Sequence, residues 1–185
     1  VHLTGISDKF YDDVLIPMFL TTRGCPYRCT FCWEGGDYFT KTPRYDRERI
    51  AQELNYIAER VRVERVKVQD LMLVDANFGM FKEDIETAEE IRHLQQKYGW
   101  PKTFTVATAK NHKKRTIEII EILGDTMPSS AAIQTTDEEI LKTIKRKNAP
   151  MDQMEEQAAL AAEKGGQSEA EIILCLQGDT REKHF

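Results

Sequence analysis

The chain has 185 residues and a formal net charge of −5 at pH 7, with 41% hydrophobic and 31% charged residues. This composition predicts one domain with a sizeable core, and it disfavours a surface that binds nucleic acid. No apolar run approaches the roughly 20 residues that span a bilayer and no signal peptide is evident, so we expect no membrane association and a reducing, cytoplasmic location. Because the chain begins at Val1 without Met and stops at Phe185, we interpret residues 1–185 as a single truncated domain.

Apolar segments of two kinds alternate along the chain. Short apolar runs predict strands over 14–20, 71–74, 104–107, 131–133 and 171–176. Apolar residues at helical spacing predict helices over 46–61, 85–98, 117–123, 140–144 and 150–161. Thr136 and Glu139 have the spacing of a capping box for the fourth of these helices. Strands that alternate with helices predict a parallel α/β fold with right-handed crossovers.

Three cysteines are the strongest chemical signal in the sequence. Cys25, Cys29 and Cys32 lie on one short segment, with three and then two residues between them. Thiolates suit iron–sulfur clusters or zinc, but structural zinc normally takes four protein ligands, and Cys175 and the histidines are remote in sequence. Three thiolates on a four-iron cluster leave one iron open to a substrate, which is the interpretation we favour. Structural zinc, a closed electron-transfer cluster and a disulfide with a spare thiol are the alternatives.

The cysteine segment resembles a known family signature. Cys-x-x-x-Cys-x-aromatic-Cys, ending here in Phe31-Cys32, resembles the motif of radical S-adenosylmethionine (SAM) enzymes. Segments 75–80, 98–101 and 144–148 resemble the branch in which a cobalamin-binding domain precedes the radical domain, and no such upstream domain is present in this sequence. The resemblance covers essentially the whole chain. It implies a partial, open (β/α) barrel with about five strand–helix units present and the sixth strand and C-terminal part missing. In such barrels the site lies at the carboxyl ends of the strands.

The resemblance implies a set of site residues. Cys25, Cys29 and Cys32 would hold a [4Fe–4S] cluster, and the other positions would contact SAM: Phe31 and Gly178 at the adenine, Asp75 and Asn77 at the amino group, and Gln134 at the ribose or carboxylate. Many relatives carry Gly-Gly-Glu where this chain has the segment around Asp75 and Asn77, so these two could instead form a turn or a helix cap. Phe31 could simply pack.

Two further features receive structural interpretations. We expect Cys175 to be a buried strand residue and not a cluster ligand. The basic run Lys145-Arg146-Lys147 is placed at the end of a predicted helix, where cations stabilise the helix dipole.

The implied function is reductive cleavage of SAM to a 5′-deoxyadenosyl radical, for cobalamin-dependent C-methylation or a related modification of a small molecule. The implied cofactors are a [4Fe–4S] cluster, SAM and, in a full-length protein, cobalamin. The implied partner is an external one-electron reductant of the flavodoxin or ferredoxin type. A non-catalytic iron–sulfur or zinc module is one alternative. A radical methylthiotransferase acting on tRNA or protein is another, which would call for a second cysteine cluster or a basic RNA-binding appendage, and this sequence has neither.

Overall fold

The computed structural model describes residues 2–10, 15–63, 68–109 and 113–184 as strands, helices and the loops between them. The strands are β1 (Met18–Phe19), β2 (Asp70–Phe78), β3 (Thr103–Thr108), β4 (Ser129–Gln134) and β5 (Ser168–Ile172). The helices are α1 (Arg47–Val63), α2 (Glu83–Tyr98), α3 (Lys113–Leu123), α4 (Glu138–Thr143), α5 (Met151–Glu163) and α6 (Arg181–His184). A helix follows each strand, and two helices, α4 and α5, lie between β4 and β5, in the order that the hydrophobic pattern predicts.

The strands pair in parallel in two groups. β1, β2 and β3 form one sheet, with Met18 opposite Met72 and Leu73 opposite Val106. β4 and β5 form a second pair, which lies beside β3 through a 2.7 Å hydrogen bond from Thr108 Oγ1 to the Ser130 carbonyl. This arrangement is a partial, open α/β barrel, which confirms the predicted fold class.

One face of the first sheet is buried under helices and the other is not. Leu71, Leu73 and Phe104 belong to one hydrophobic core with residues of α1, α2 and α3, and the rings of Phe78 and Phe104 pack edge to face at 5.8 Å. Side chains alternate across a strand, so Ala76 and Thr105 point the other way and line a cavity. The helices therefore fix the sheet from behind and leave its inner face free for a ligand.

Two strand predictions need correction. The first strand is only Met18–Phe19: Val14 lies outside the described residues, and Leu15 and Ile16 are exposed and not part of a buried strand. β5 runs from Ser168 to Ile172 instead of over 171–176, and all its residues are exposed.

The prediction that Cys175 is a buried strand residue is wrong. Cys175 is an exposed free cysteine beyond the end of β5, and its backbone has φ 59°. This left-handed conformation is incompatible with an extended strand, so the apolar run around Cys175 turns away from the sheet instead of lengthening it.

Two local predictions also differ from the structure. The N-cap of α4 is Asp137 and not Thr136, because an Asp137 carboxylate oxygen accepts from the backbone N–H groups of Glu139 and Ile140, each at 2.9 Å. Asp75 and Asn77 lie within β2 and not in a loop after it. Since β2 extends four residues further than the run 71–74 predicts, these two polar side chains are held by strand backbone.

Candidate functional site

The cysteine segment is a loop that follows β1 and closes tightly on itself. The N–H of Cys25 donates to the Phe39 carbonyl at 2.9 Å. The backbone of Gly24 has φ 92°, and a Cβ atom there would lie 2.4 Å from the same Phe39 oxygen, so only glycine fits. The loop is thus pinned immediately before its first cysteine.

A second tight contact holds the other two cysteines. The N–H of Cys32 donates to the Cys29 carbonyl at 3.1 Å, and the N–H of Gly35 donates to the Cys32 carbonyl at 3.0 Å. A Cβ atom on Gly35 would lie only 2.2 Å from the Cys29 oxygen. The backbone around Cys29 and Cys32 therefore has little freedom, which suits a loop that must present several ligands at once.

The three thiols differ in their surroundings. All are free, with Cys25 and Cys29 buried and Cys32 exposed. Cys32 and Phe31 line a cavity of about 420 Å³ on the inner face of the sheet, and Cys29 lines a neighbouring recess of about 300 Å³. Cys25 points toward β2, where its sulfur meets Asn77.

The three cysteines are the candidate ligands of a metal centre. Within the described ranges, no three His, Cys, Asp or Glu side chains lie as close together as the ligands of one ion. Each cysteine of a four-iron cluster binds a different iron atom, so its ligands are spaced more widely than those of zinc. Free, soft sulfur donors on one loop are the type of ligand that an iron–sulfur cluster takes.

Asp75 ties the root of the cysteine loop to β2. One carboxylate oxygen accepts from the Thr21 N–H at 2.7 Å, and the other accepts from the Thr22 N–H at 3.0 Å and from the Thr21 hydroxyl. Burial raises the pKa of Asp75 above its ordinary 3.8. The hydrogen bonds from the threonines lower this pKa, but their effect is smaller than that of burial, and the nearby Asp84 raises the pKa further. The structure therefore places Asp75 next to the loop root, with both oxygens already engaged.

An ion pair beside Asp75 reinforces this junction. Arg44 Nη1 lies 2.5 Å from Asp84 Oδ1 and donates to the Thr22 hydroxyl at 2.8 Å. The other Asp84 oxygen accepts from the N–H groups of Gly79 and Phe81 at 2.8 and 3.0 Å. Arg44 and Asp84 thus connect the loop root to the turn that follows β2.

Asn77 connects β2 directly to a cysteine. Its Nδ2 lies 3.1 Å from Cys25 Sγ, and both side chains are buried. Its Oδ1 is also buried and has no hydrogen-bond partner in the described part of the chain. A buried, unpaired carbonyl oxygen is costly, and it marks a place where a ligand donor would be stabilising.

Gln134 and Arg146 bring two more unpaired polar atoms to the 420 Å³ cavity. Gln134 ends β4 with φ 68°, a left-handed backbone that is uncommon for a residue other than glycine, and its Oε1 is buried without a partner among the described residues. The Arg146 guanidinium donates from Nε to Asn148 Oδ1 at 3.0 Å and from Nη2 to the Ala132 carbonyl. Its third nitrogen, Nη1, is buried and also has no hydrogen-bond partner among the described residues. The cavity thus offers one buried acceptor and one buried cationic donor.

The pairing of the strands is irregular near these residues. The β2–β3 register shifts between Leu73 and Phe78, and the β4–β5 register shifts between Ala132 and Gln134. Such irregularities redirect side chains near strand ends. They occur where Asn77 and Gln134 turn toward the cysteine loop and the cavity.

The remaining predicted positions lie at the same end of the fold. Phe31 is partly exposed on the cavity wall. Gly178 has φ 89° with open space around a hypothetical Cβ, in the turn after β5 where Asp179 donates its N–H to the Leu176 carbonyl at 2.9 Å. Gly178 is not among the residues that line the cavity. The SAM contacts of Phe31 and Gly178 stay predictions.

Arg146 is the site residue that sequence reasoning missed. A cation at a predicted helix end is fully explained by the helix dipole, so the run Lys145-Arg146-Lys147 gave no reason to single out its middle member. The structure distinguishes them, since Arg146 is buried whereas Lys145 and Lys147 are exposed.

Among the helices of the described ranges, none combines the length and the apolar character that crossing a bilayer requires. The fold and the site together define an α/β protein with a loop of three free cysteines beside a cavity that carries buried polar atoms, at one end of a partial barrel. The sequence profile of the Radical SAM superfamily matches residues 19–184. The chain therefore belongs to the radical SAM superfamily, and membership implies a [4Fe–4S] cluster and SAM as cofactors.

Two curated relatives are similar over most of this chain. The cobalamin-dependent radical SAM methyltransferase TokK of Streptomyces tokunonensis is 31% identical over 163 residues, which is 86% of this chain and 23% of TokK. The 2-(S-pantetheinyl)-carbapenam-3-carboxylate methyltransferase of Streptantibioticus cattleyicolor is 33% identical over 159 residues, 84% of this chain and 22% of the relative. The chain thus spans less than a quarter of the length of either protein.

Solved structures share the fold. The radical SAM methyltransferase TsrM from Kitasatospora setae, with tryptophan and a SAM analogue bound, superposes with a TM-score of 0.72 over 95% of this chain and 33% of TsrM, at 16% identity. The cobalamin-dependent SAM radical enzyme OxsB, with aqua-cobalamin and SAM bound, gives a TM-score of 0.65 over 93% of this chain and 25% of OxsB, at 17% identity. At this identity the likeness extends to the architecture alone.

Proposed function

We propose that this chain forms the catalytic core of a radical SAM enzyme, in which Cys25, Cys29 and Cys32 hold a [4Fe–4S] cluster and the adjoining cavity binds SAM. The observation that carries this proposal is the meeting of a rigid three-thiol loop with a cavity whose buried polar atoms lack partners. A closed electron-transfer or structural module would not call for such a cavity beside its metal ligands.

The cluster, when bound, supplies one electron for reductive cleavage of the SAM sulfonium to methionine and a 5′-deoxyadenosyl radical. The chain's own contribution is ligation and orientation. Gly24 and Gly35 fix the loop backbone, and Asp75 holds the loop root at Thr21 and Thr22. A loop fixed in advance places the ligand at its reacting distance without a further entropic cost at the moment of reaction.

We propose that the unpaired atoms receive the amino-acid end of SAM. Arg146 Nη1 would donate to the SAM carboxylate. Asn77 Oδ1 would accept from the SAM ammonium, although Asn77 is not among the residues that line the cavity. Asp75 is the other predicted acceptor for the ammonium, although its oxygens already serve the threonines. Gln134 Oε1 would accept from a ribose hydroxyl, and Phe31 and Gly178 would border the adenine.

We further propose the reaction of the whole protein. Cobalamin-dependent C-methylation of a small molecule is supported by the two curated relatives, both of which are methyltransferases. No described residue is assigned to cobalamin or to the methyl acceptor. An external one-electron reductant of the flavodoxin or ferredoxin type and a cytoplasmic location complete the proposal.

Anaerobic reconstitution of the full-length protein with iron and sulfide tests this function. We expect about four irons per chain, release of 5′-deoxyadenosine from SAM under a strong reductant, and bound corrinoid. Cys29→Ala should abolish the cluster absorbance and SAM cleavage, whereas Cys175→Ala, the matched control at an exposed free cysteine, should leave both intact. SAM cleavage by the Cys29→Ala protein would contradict the proposal, and loss of iron from the Cys175→Ala protein would reveal an unrecognised ligand.

A further inference from the structure

We propose that Asn77 raises the reduction potential of the cluster by donating a hydrogen bond from its side-chain amide to the Cys25 sulfur. This inference rests on the proposed function, because it requires Cys25 to be a cluster ligand. It assigns Asn77 a positioning and tuning role that is separate from its predicted contact with SAM.

The geometry of the two side chains supports this role. Asn77 Nδ2 lies 3.1 Å from Cys25 Sγ, within hydrogen-bonding reach of a sulfur acceptor. Each residue is only 4% exposed, so water does not compete for the sulfur. Asn77 lies near the end of β2, next to Phe78, which pairs with Thr108 of β3, so the strand places its side-chain amide beside Cys25 before the cluster is bound.

The chemistry of a ligated sulfur fixes the orientation of the amide. A free thiol can donate its own proton, so either end of the Asn77 amide could face it. A sulfur bound to iron has lost that proton and can only accept, so the NH₂ end must face Cys25. The structure already has this orientation, with Nδ2 toward the sulfur and Oδ1 as the end without a partner among the described residues.

The expected electronic effect has a definite sign. Reduction adds one electron from an external reductant to the cluster and increases the negative charge shared by its sulfurs. A hydrogen bond to a thiolate stabilises the more negative state, and hydrogen bonds to the sulfurs are among the determinants of cluster potential. The effect is large in a buried site, where the dielectric constant is low. Loss of the Asn77 donor should therefore make the cluster harder to reduce.

Asn77→Leu in the full-length protein removes the donor while conserving the approximate volume and adding no charge. The measurement is an anaerobic redox titration of the reconstituted protein without SAM, followed by the spectrum of the reduced cluster. We expect the ratio of reduced to oxidised cluster at a fixed potential to fall at least threefold, which for one electron corresponds to about 28 mV toward negative potential.

Gln134→Leu is the matched control, because it also removes a buried amide, at the cavity that Cys32 lines, without removing a hydrogen bond to a cysteine sulfur. A shift in Asn77→Leu that is absent from Gln134→Leu supports the inference. Equal potentials for wild type and Asn77→Leu would overturn it, and so would an equal shift in both variants, since that reports apolar burial alone. Failure of the wild-type protein to form a four-iron cluster would instead contradict the proposed function.

A measurement on the wild-type protein covers the case in which Asn77→Leu does not assemble a cluster. Exchange into D₂O replaces the amide protons, and a hydrogen bond to the ligand sulfur should shift the iron–sulfur stretching bands seen by resonance Raman. Asn77→Asp, which lacks the amide donor at nearly the same shape, should show a smaller shift. Bands that do not move in D₂O would refute the hydrogen bond.

Discussion

Arg44 and Asp84 form an ion pair of 2.5 Å that joins the root of the cysteine loop to the turn after β2. The Asp84 side chain is 1% exposed and that of Arg44 is 15% exposed. Removal of one partner from a buried pair leaves the other charge without compensation. The position of the loop is therefore linked to the stability of the whole sheet.

Arg44→Met should destabilise the protein by about 3–5 kcal/mol, because it leaves the Asp84 carboxylate buried and unpaired. Urea unfolding of the full-length apoprotein measures this change. Arg47→Met is the matched control: Arg47 lies 3.5 Å from Glu86 in a pair that is largely exposed, so its loss should cost about 0–1 kcal/mol. Equal losses in the two variants would show that the Arg44–Asp84 pair has no special role.

Gly35→Ala should prevent assembly of the cluster, with at least half of the iron lost after reconstitution. The added Cβ would lie 2.2 Å from the Cys29 carbonyl, so the loop backbone would have to move. Gly36→Ala is the control, since the nearest atom to its Cβ is 3.9 Å away. Iron and sulfide analysis of both proteins distinguishes a local effect on the loop from a general intolerance of alanine. Full iron content in the Gly35→Ala protein would contradict the tight packing of the loop.

Arg146→Lys should weaken SAM binding at least tenfold, because a lysine keeps the charge but loses the guanidinium geometry that leaves Nη1 free for the ligand. Hydrogen bonds to charged groups contribute about 1.5–3 kcal/mol, which agrees with an effect of this size. Equilibrium dialysis with the reconstituted protein provides the measurement. Lys147→Met, at the neighbouring exposed cation, should bind SAM normally. Comparable weakening in both variants would contradict a specific role for the Arg146 guanidinium.

Asp75→Asn should lower the free energy of unfolding by about 1–3 kcal/mol, because an amide cannot accept from both threonines in the way that the carboxylate does. The pH dependence has a defined sign. The pKa of Asp75 is raised by burial, so the stability linked to its proton is fully present below pH 3.8 and is lost as pH rises through the folded-state pKa. The wild-type protein should therefore lose part of its advantage over Asp75→Asn between acidic and neutral pH. Unfolding of the two apoproteins over this range tests the sign, and a widening advantage would refute it.

The helices were predictable because the apolar residues of each helix recur with a single period, that of the α-helix. Ile50, Leu54 and Ile57 recur at helical spacing and are all buried in the finished fold. The spacing of the three cysteines was equally informative, because the proposed cluster ligands lie close together along the chain. For these features the information is local, and tertiary contacts only reinforce it.

Other features depended on contacts between distant segments. β5 ends at Ile172, and the backbone turns into a left-handed conformation at Cys175, which no apolar pattern reveals. The hydrogen bond from Asn77 to Cys25 spans 52 positions, and the Arg44–Asp84 pair spans 40. Arg146 was overlooked because burial, and not residue type, separates it from its two lysine neighbours.

The strained backbone at Gln134 implies that protein stability and ligand binding place opposite demands on this position. A left-handed residue other than glycine costs about 1 kcal/mol or more, and such strain persists only where the surroundings enforce it. Gln134→Gly would relieve that tension while deleting the amide that faces the cavity. If Gln134 contacts SAM as proposed, this variant should unfold at a higher temperature and bind SAM more weakly, so screens for thermostability at this position would select against function.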